Sequence, residues 1–216
     1  THCLGDPIVL IAARSREVLE QAKKMVEIKY EALPSLHTPA DALKEDAPWI
    51  HEGGNVLARE HLRRGDPDEK IRNSAFVVTN HYSTPFTEHA FLETETAIAL
   101  PDPEAPERIL IYCADQGIYQ TQKECAEMLG LPKDQVRVIS KMVGGGFGGK
   151  EDMSVQHHAA LLAYHAKAPV KVALTRDESI LIHPKRHAME MDFTTACDAN
   201  GYLTAMKAVI IADTGA

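Results

Sequence analysis

Val143-Gly144-Gly145-Gly146-Phe147-Gly148-Gly149-Lys150-Glu151 is the stretch on which the reading of this chain turns. Five glycines in the six positions 144–149 remove the Cβ atoms that would hold a partner away from the backbone. Successive N–H groups in such a loop can line a concave surface and meet an anion or an oxo group. The loop follows an apolar run, Val136 to Val143, that reads as a strand, and a helix is expected from about Asp152 to His165. A plain tight strand-to-helix turn would use fewer glycines.

Two phosphate-binding loops share part of this pattern. Gly144-x-Gly146-x-x-Gly149 satisfies the dinucleotide fingerprint, and Arg176 or Asp177 after the next strand could reach a ribose. Against that reading, the unit lies late in the chain, behind segments that look like an antiparallel meander. Phe147 also puts a ring where the pyrophosphate turn is lean. Gly144, Gly149 and Lys150 satisfy GxxxxGK, but Glu151 stands where a magnesium-holding hydroxyl is needed and would repel phosphate. The triphosphatase reading fails.

Working outward, Pro7 to Ala13 reads as a buried strand, and Ser15 as the cap of a helix with Glu17 in its first turn. Val18, Leu19, Ala22, Met25 and Val26 fall on one face of that helix. Pro34 closes the unit. Prolines, Gly53-Gly54 and mixed charges mark residues 35–64 as connecting chain. Ala75 to Phe86, Thr94 to Leu100 and Ile109 to Cys113 look like the meander strands. A helix from Gly117 to Leu129 is stopped by Gly130 and Pro132, and Val170 to Leu174 is a further strand. Met189, Met191 and Phe193 alternate with polar residues ahead of Asn200-Gly201, a hairpin turn. Strands and helices mix without a strict βαβ rhythm, so the class is α+β.

Composition narrows the function classes. The 216 residues are 44% hydrophobic with a formal net charge of −8, and no basic stripe is present, which argues against nucleic acid. No apolar run reaches the roughly 20 residues that span a bilayer. Cys3, Cys113, Cys125 and Cys197 match no metal, iron–sulfur or disulfide spacing and read as reduced thiols of a cytoplasmic protein. Adjacent His157 and His158 point in different directions on a helix and do not share a metal easily. The chain opens just before one apolar run and stops just after another, so it reads as a piece of a longer polypeptide.

The nine residues 143–151 resemble the signature loop of the xanthine dehydrogenase and aldehyde oxidase family. Other segments resemble the same family in one consistent order: Glu88-His89-Ala90-Phe91-Leu92-Glu93-Thr94, Leu129-Gly130-Leu131-Pro132, Arg176-Asp177-Glu178 and Arg186-His187. Leu4-Gly5-Asp6-Pro7 and Tyr30-Glu31-Ala32-Leu33-Pro34 look like the end of the family's α/β hammerhead domain. The resemblance implies a hammerhead remainder over 1–52, a linker over 53–64, and over 65–216 the first part of a molybdenum cofactor-binding domain with a mixed sheet and helices.

Such enzymes oxidise an electron-poor carbon with oxygen from water at a molybdenum held by molybdopterin, either bare or as its cytosine dinucleotide. The substrate is a purine such as xanthine or hypoxanthine, a related heterocycle or an aldehyde. Electrons leave through iron–sulfur clusters, usually towards FAD, and these lie on other domains or subunits. By position, Gln116 matches the glutamine whose side chain approaches a molybdenum oxygen, although Ala114-Asp115 departs from the common Ser-Thr before it. Phe147 and Gly148 match the positions whose amides meet the metal's oxo group, with Gly145 and Gly146 allowing the approach. Glu151 matches the carboxylate that contacts purines; its plain alternative is a helix N-terminal acid. The family's base glutamate falls beyond Ala216, so no catalytic base is assigned to this chain and the fragment alone is expected to be inactive.

Overall fold

The structure is a computed structural model that describes residues 1 and 3–214. Its contacts group the chain into two compact units built from interleaved segments: residues 3–30 with 88–185, and 31–87 with 186–214.

The first unit holds a four-stranded sheet. Its strands are β2 (Thr96–Asp102), β3 (Ala105–Cys113), β4 (Val136–Ser140) and β5 (Val170–Ala173), in the order β4-β3-β2-β5. The pairs β2–β3 and β2–β5 are antiparallel, while β3–β4 is parallel. A parallel neighbour needs a crossover, and α4 (Ile118–Leu129) supplies it. That helix ends at Gly130 in the left-handed conformation (φ 65°), which a glycine adopts without Cβ strain. Every second residue of β2 and β3 faces the core: Ala97 and Ala99, then Ile109, Ile111 and Cys113. Across from them lie Cys125 and Ala126 of α4 and Ala159, Ala160 and Ala163 of α5 (Gln156–Ala166). The alanines on both β2 and α5 let helix and sheet approach closely.

The second unit contains an antiparallel sheet of three strands, β1 (Phe76–Thr84), β6 (Ala188–Cys197) and β7 (Leu203–Asp213), in the order β1-β6-β7. Its register is fixed by cross-strand pairs. Thr79 and Thr194 hydroxyls lie 3.0 Å apart, and the His81 ring meets Asp192 at 2.8 Å and Glu190 at 2.9 Å. The two carboxylates hold the His81 pKa above its ordinary value. The β6–β7 hairpin turns through Gly201 at φ 86°, as the Asn-Gly pair anticipates. The short α3 (Pro67–Arg72), capped by Asp66, ties to β7 through Lys207 and Asp68 at 3.0 Å.

Several expectations need correction. Residues 7–13 form no strand; Ile8 and Val9 are about half exposed and pair with no neighbouring strand among the described residues. Strand formation needs an edge to bond to, which hydrophobicity does not provide. The helix after Ser15, α1 (Arg16–Met25), is capped as expected, but none of its residues is buried. β1 does not join β2 and β3 in a meander: it pairs with β6, far along the chain. The segment 35–64 is mostly irregular, with the short α2 (Pro39–Ala42) and Asn55 accepting from Ile50 N and donating to Ala42 and Pro48 carbonyls. All four cysteines are free thiols, and burial pushes Cys113 and Cys125 up to about 12. No helix among the described residues is long and apolar enough to cross a membrane.

Ile111 is fully buried at the centre of the first core. Ile111→Ala removes its packing and leaves a cavity, so urea denaturation is expected to show a loss of about 3 kcal/mol. A loss below about 1 kcal/mol would mean this sheet does not form the core described.

Candidate functional site

β4 delivers the chain to the glycine loop, and Lys141 N donates to Cys113 O at 2.8 Å as the strand ends. Beyond it the backbone turns sharply, with Phe147 at φ 53° and Gly148 at φ 89°. For a bulky residue such a φ costs on the order of 1–3 kcal/mol, and it persists only where the surroundings enforce it. Phe147 is 64% exposed and Gly148 is also exposed, so this turn lies at the protein surface.

The other glycines are needed because something lies against them. A Cβ on Gly144 would strike the Glu93 carboxylate, one on Gly146 the Gln116 amide, and one on Gly149 the rings of His183 and His89. Three side-chain systems therefore hold the loop from beneath.

The first is Glu93 with Lys150. Lys150 is 3% exposed, its ammonium 2.5 Å from Glu93 Oε1 and 4.3 Å from the centre of the Phe91 ring. Glu93 Oε1 also accepts from Gly144 N at 2.7 Å, so one carboxylate pins both ends of the loop. Lys150, opposed by partial burial and aided by the Gly144 amide, lowers the Glu93 pKa from 4.5 to about 2.

The second is centred on Asp115, which is 5% exposed. Its carboxylate accepts from Gly117 N, from Thr121 Oγ1 at 2.7 Å and from Gln156 Nε2 at 2.9 Å. It thereby ties the end of β3 to the starts of α4 and α5. Gln116, next in sequence, is held to the loop by two bonds: its N donates to Lys150 O at 2.8 Å, and its Oε1 accepts from Lys150 N at 3.2 Å. Its side-chain NH2 group makes no hydrogen bond among the described residues.

The third is His183, at the end of α6 (Arg176–Ile182) and 3% exposed. Its Nε2 donates to Gly149 O at 2.6 Å. The ring packs edge-on against His89 and Phe91, with centroids 5.2 and 5.1 Å away. Glu88 Oε1 lies 3.2 Å from its Nδ1, outside hydrogen-bonding geometry, and Lys185 Nζ lies 2.8 Å from Glu88 Oε2.

The fold thus brings Gln116, Gly145, Gly146, Phe147 and Gly148 together. Glu151 is exposed just beyond them. The helix expected from Asp152 begins at Gln156, so Glu151 does not lie in its first turn and the helix-acid alternative falls. The dinucleotide reading also falls. β4 and β5 sit at opposite edges of a sheet in which β2 is antiparallel to its neighbours, and the loop does not lead straight into a helix. Arg176 is committed elsewhere, its Nη2 donating to Phe91 O at 2.6 Å and Leu92 O at 2.7 Å. Sequence reasoning does not assign Glu93, Asp115, Lys150 or His183 a place in the site. Two of them, Glu93 and Lys150, lie within motifs already noticed, whereas His183 carries no local signal.

Residues 50–216 match the family described as the molybdopterin cofactor-binding domain. The chain is 38% identical over 212 residues to the nicotinate dehydrogenase large molybdopterin subunit of Eubacterium barkeri, covering 98% of this chain and 49% of that one. It is 34% identical over 213 residues to the xanthine dehydrogenase molybdenum-binding subunit of Escherichia coli, over 98% of this chain and 28% of the relative. Among solved structures, quinoline 2-oxidoreductase of Pseudomonas putida 86 superposes with a TM-score of 0.85 at 25% identity, over 93% of this chain and 26% of that one. The aldehyde oxidoreductase of Desulfovibrio gigas shares the fold, with a TM-score of 0.85 at 23% identity over 93% of this chain and 22% of that one. The chain belongs to the molybdopterin cofactor-binding domain family, that of the xanthine dehydrogenase-type oxidoreductases. It spans between about a quarter and half the length of these relatives.

Two measurements check the loop's support. Gly146→Ala forces Gln116 aside and is expected to cost about 1–3 kcal/mol in chemical denaturation, more than Gly145→Ala, whose Cβ comes no nearer than 3.3 Å to its neighbours, first the Phe147 ring. Glu93 is held ionised below its unfolded value, so its stabilisation is complete above pH 4.5 and drains away as pH falls towards about 2. Stability of Glu93→Gln should be lower at neutral pH, by about 3 kcal/mol, the low end for stranding a buried partner such as Lys150, because the Glu93 side chain is a third exposed. It should also fall less between pH 4.5 and about 2 than that of the unaltered chain; equal slopes would show that Glu93 does not carry the acid transition.

Proposed function

We propose that this chain forms part of the active-site wall of a molybdenum hydroxylase acting on a purine or a related N-heterocycle, with an aldehyde as the less favoured substrate. The observation that carries this reading is the surface turn Phe147–Gly148 at positive φ, set beside a Gln116 side chain already fixed to the loop. Molybdopterin, when bound, supplies the two-electron oxidation, with water as the source of the added oxygen.

The residues present fit that group. Gly146 keeps the space into which Gln116 leans, and a Cβ on Gly148 would meet nothing, so the loop surface there is open. In the proposed roles, the Phe147 and Gly148 amides and the Gln116 NH2 group would hold the molybdenum group by donating to it and would orient it. Donors fixed before reaction cost no reorganisation where negative charge develops. Glu151 lies exposed near that surface and would accept a hydrogen bond from a substrate N–H, which purines offer and simple aldehydes do not. A Cβ on Gly117 would lie 3.0 Å from Glu151 O, so a glycine is needed beside that backbone. We further assign residues 1–52 to the end of a hammerhead domain and 65–216 to the first part of the cofactor domain; the family match beginning at residue 50 supports that division. Iron–sulfur clusters and FAD lie on other domains or subunits in this reading, and the free thiols support a cytoplasmic setting. The base that removes a proton from the nucleophile lies outside these residues.

The test uses the parent polypeptide purified with its natural subunits. Molybdenum near one equivalent, release of the pterin with or without a cytidine nucleotide, and transfer of labelled oxygen from water into xanthine, hypoxanthine or nicotinate are the expected results. Glu151→Gln should lower kcat/KM for the purine about 10–100-fold, the worth of a charged hydrogen bond, and leave an aldehyde nearly unaffected. Absence of molybdenum would overturn the cofactor assignment; an equal loss on all substrates would overturn the role of Glu151.

A further inference from the structure

We propose that Glu88, His89 and His183 form a binding site for a divalent transition-metal ion of the zinc type, directly beneath Gly149. One ligand atom from each of the three residues lies within 4.8 Å of the others. Two imidazoles and one carboxylate form a donor set that suits zinc and its neighbours, because such ions accept nitrogen and oxygen together in four-coordinate geometry.

His183 carries the argument. Its Nε2 faces the Gly149 carbonyl at 2.6 Å, and a carbonyl can only accept, so Nε2 holds the proton. In the neutral ring the lone pair is then on Nδ1. That atom is buried and has no hydrogen-bond partner. A ligating histidine has this arrangement, with one nitrogen to the metal and the other donating to a backbone carbonyl. Glu88 Oε1 lies 3.2 Å from Nδ1 but off the hydrogen-bond line. Two ligands about 2.0–2.1 Å from one tetrahedral ion stand roughly 3.3 Å apart, so this spacing suits a shared ion.

The surroundings are consistent with added positive charge. Glu88 divides its oxygens: Oε2 lies 2.8 Å from Lys185 Nζ, and Oε1 accepts from Ala90 N at 3.2 Å and retains a second lone pair. Glu95 is 4% exposed, lies 3.8 Å from His183 Nε2, and both of its carboxylate oxygens are buried without hydrogen-bond partners. An ion on Nδ1 places a compensating charge near that carboxylate. Bound ion would tie α6 and the segment before β2 to the floor of the glycine loop.

The full chain, stripped with a chelator and returned to buffer near neutral pH, is titrated with Zn2+ by calorimetry and with Co2+ by visible absorption. One saturable equivalent, a tetrahedral-type cobalt spectrum and a rise in Tm with Zn2+ are expected. His89→Ala and Glu88→Gln, whose residues are only partly buried, should each weaken Zn2+ at least about tenfold while keeping the metal-free Tm close to that of the unaltered chain. His183→Asn should abolish binding, but it also breaks the bond to Gly149, so the other two variants decide the matter. No saturable binding, or binding that His89→Ala and Glu88→Gln leave unchanged, overturns the site.

Discussion

A buried ammonium is the constraint around which this molecule is arranged. Lys150 is withdrawn from water at the end of a loop, where an unpaired charge would cost several kcal/mol. Glu93 answers it, and the same carboxylate oxygen takes the amide of Gly144, so charge neutralisation and loop closure are a single event. The Phe91 ring beneath the ammonium adds an attractive face. Because both loop ends are pinned, the residues between them are forced into an unusual backbone path. Phe147 at positive φ is the visible strain.

The glycines serve two different ends. Only Gly148 within the loop needs a conformation that other residues resist. Gly144, Gly146 and Gly149 are small because Glu93, Gln116 and His183 press against them. The loop is therefore less a flexible cradle than a thin sheet of backbone backed by three side-chain systems. Asp115 belongs to this backing as well. In sequence it departs from the family's more usual residue, yet the fold surrounds it with donors from Gly117, Thr121 and Gln156.

Legibility follows range. Local features read well: the Ser15 cap, the Gly130 stop, the alternation in β2 and β3, and the Asn200-Gly201 hairpin depend on neighbours a few residues away. Pairings between distant segments read poorly. β1 looks like the partner of β2 because both are near in sequence, but it lies at the edge of the other sheet and pairs with β6. The apolar run at 7–13 looks like a strand and finds no edge to join.

By itself the sequence determined the family, through a glycine loop whose order of residues few other sites share, and it determined the positions at which Gln116, Phe147, Gly148 and Glu151 would be sought. Only the tertiary structure decided that Glu151 stands free of the following helix, that Arg176 is spent on backbone carbonyls, and that His183 meets Glu88 and His89 under Gly149. The physical reason is the same in each case. A motif records which residues must be near one another along the chain, whereas burial and hydrogen-bond satisfaction are settled by segments that only folding brings together.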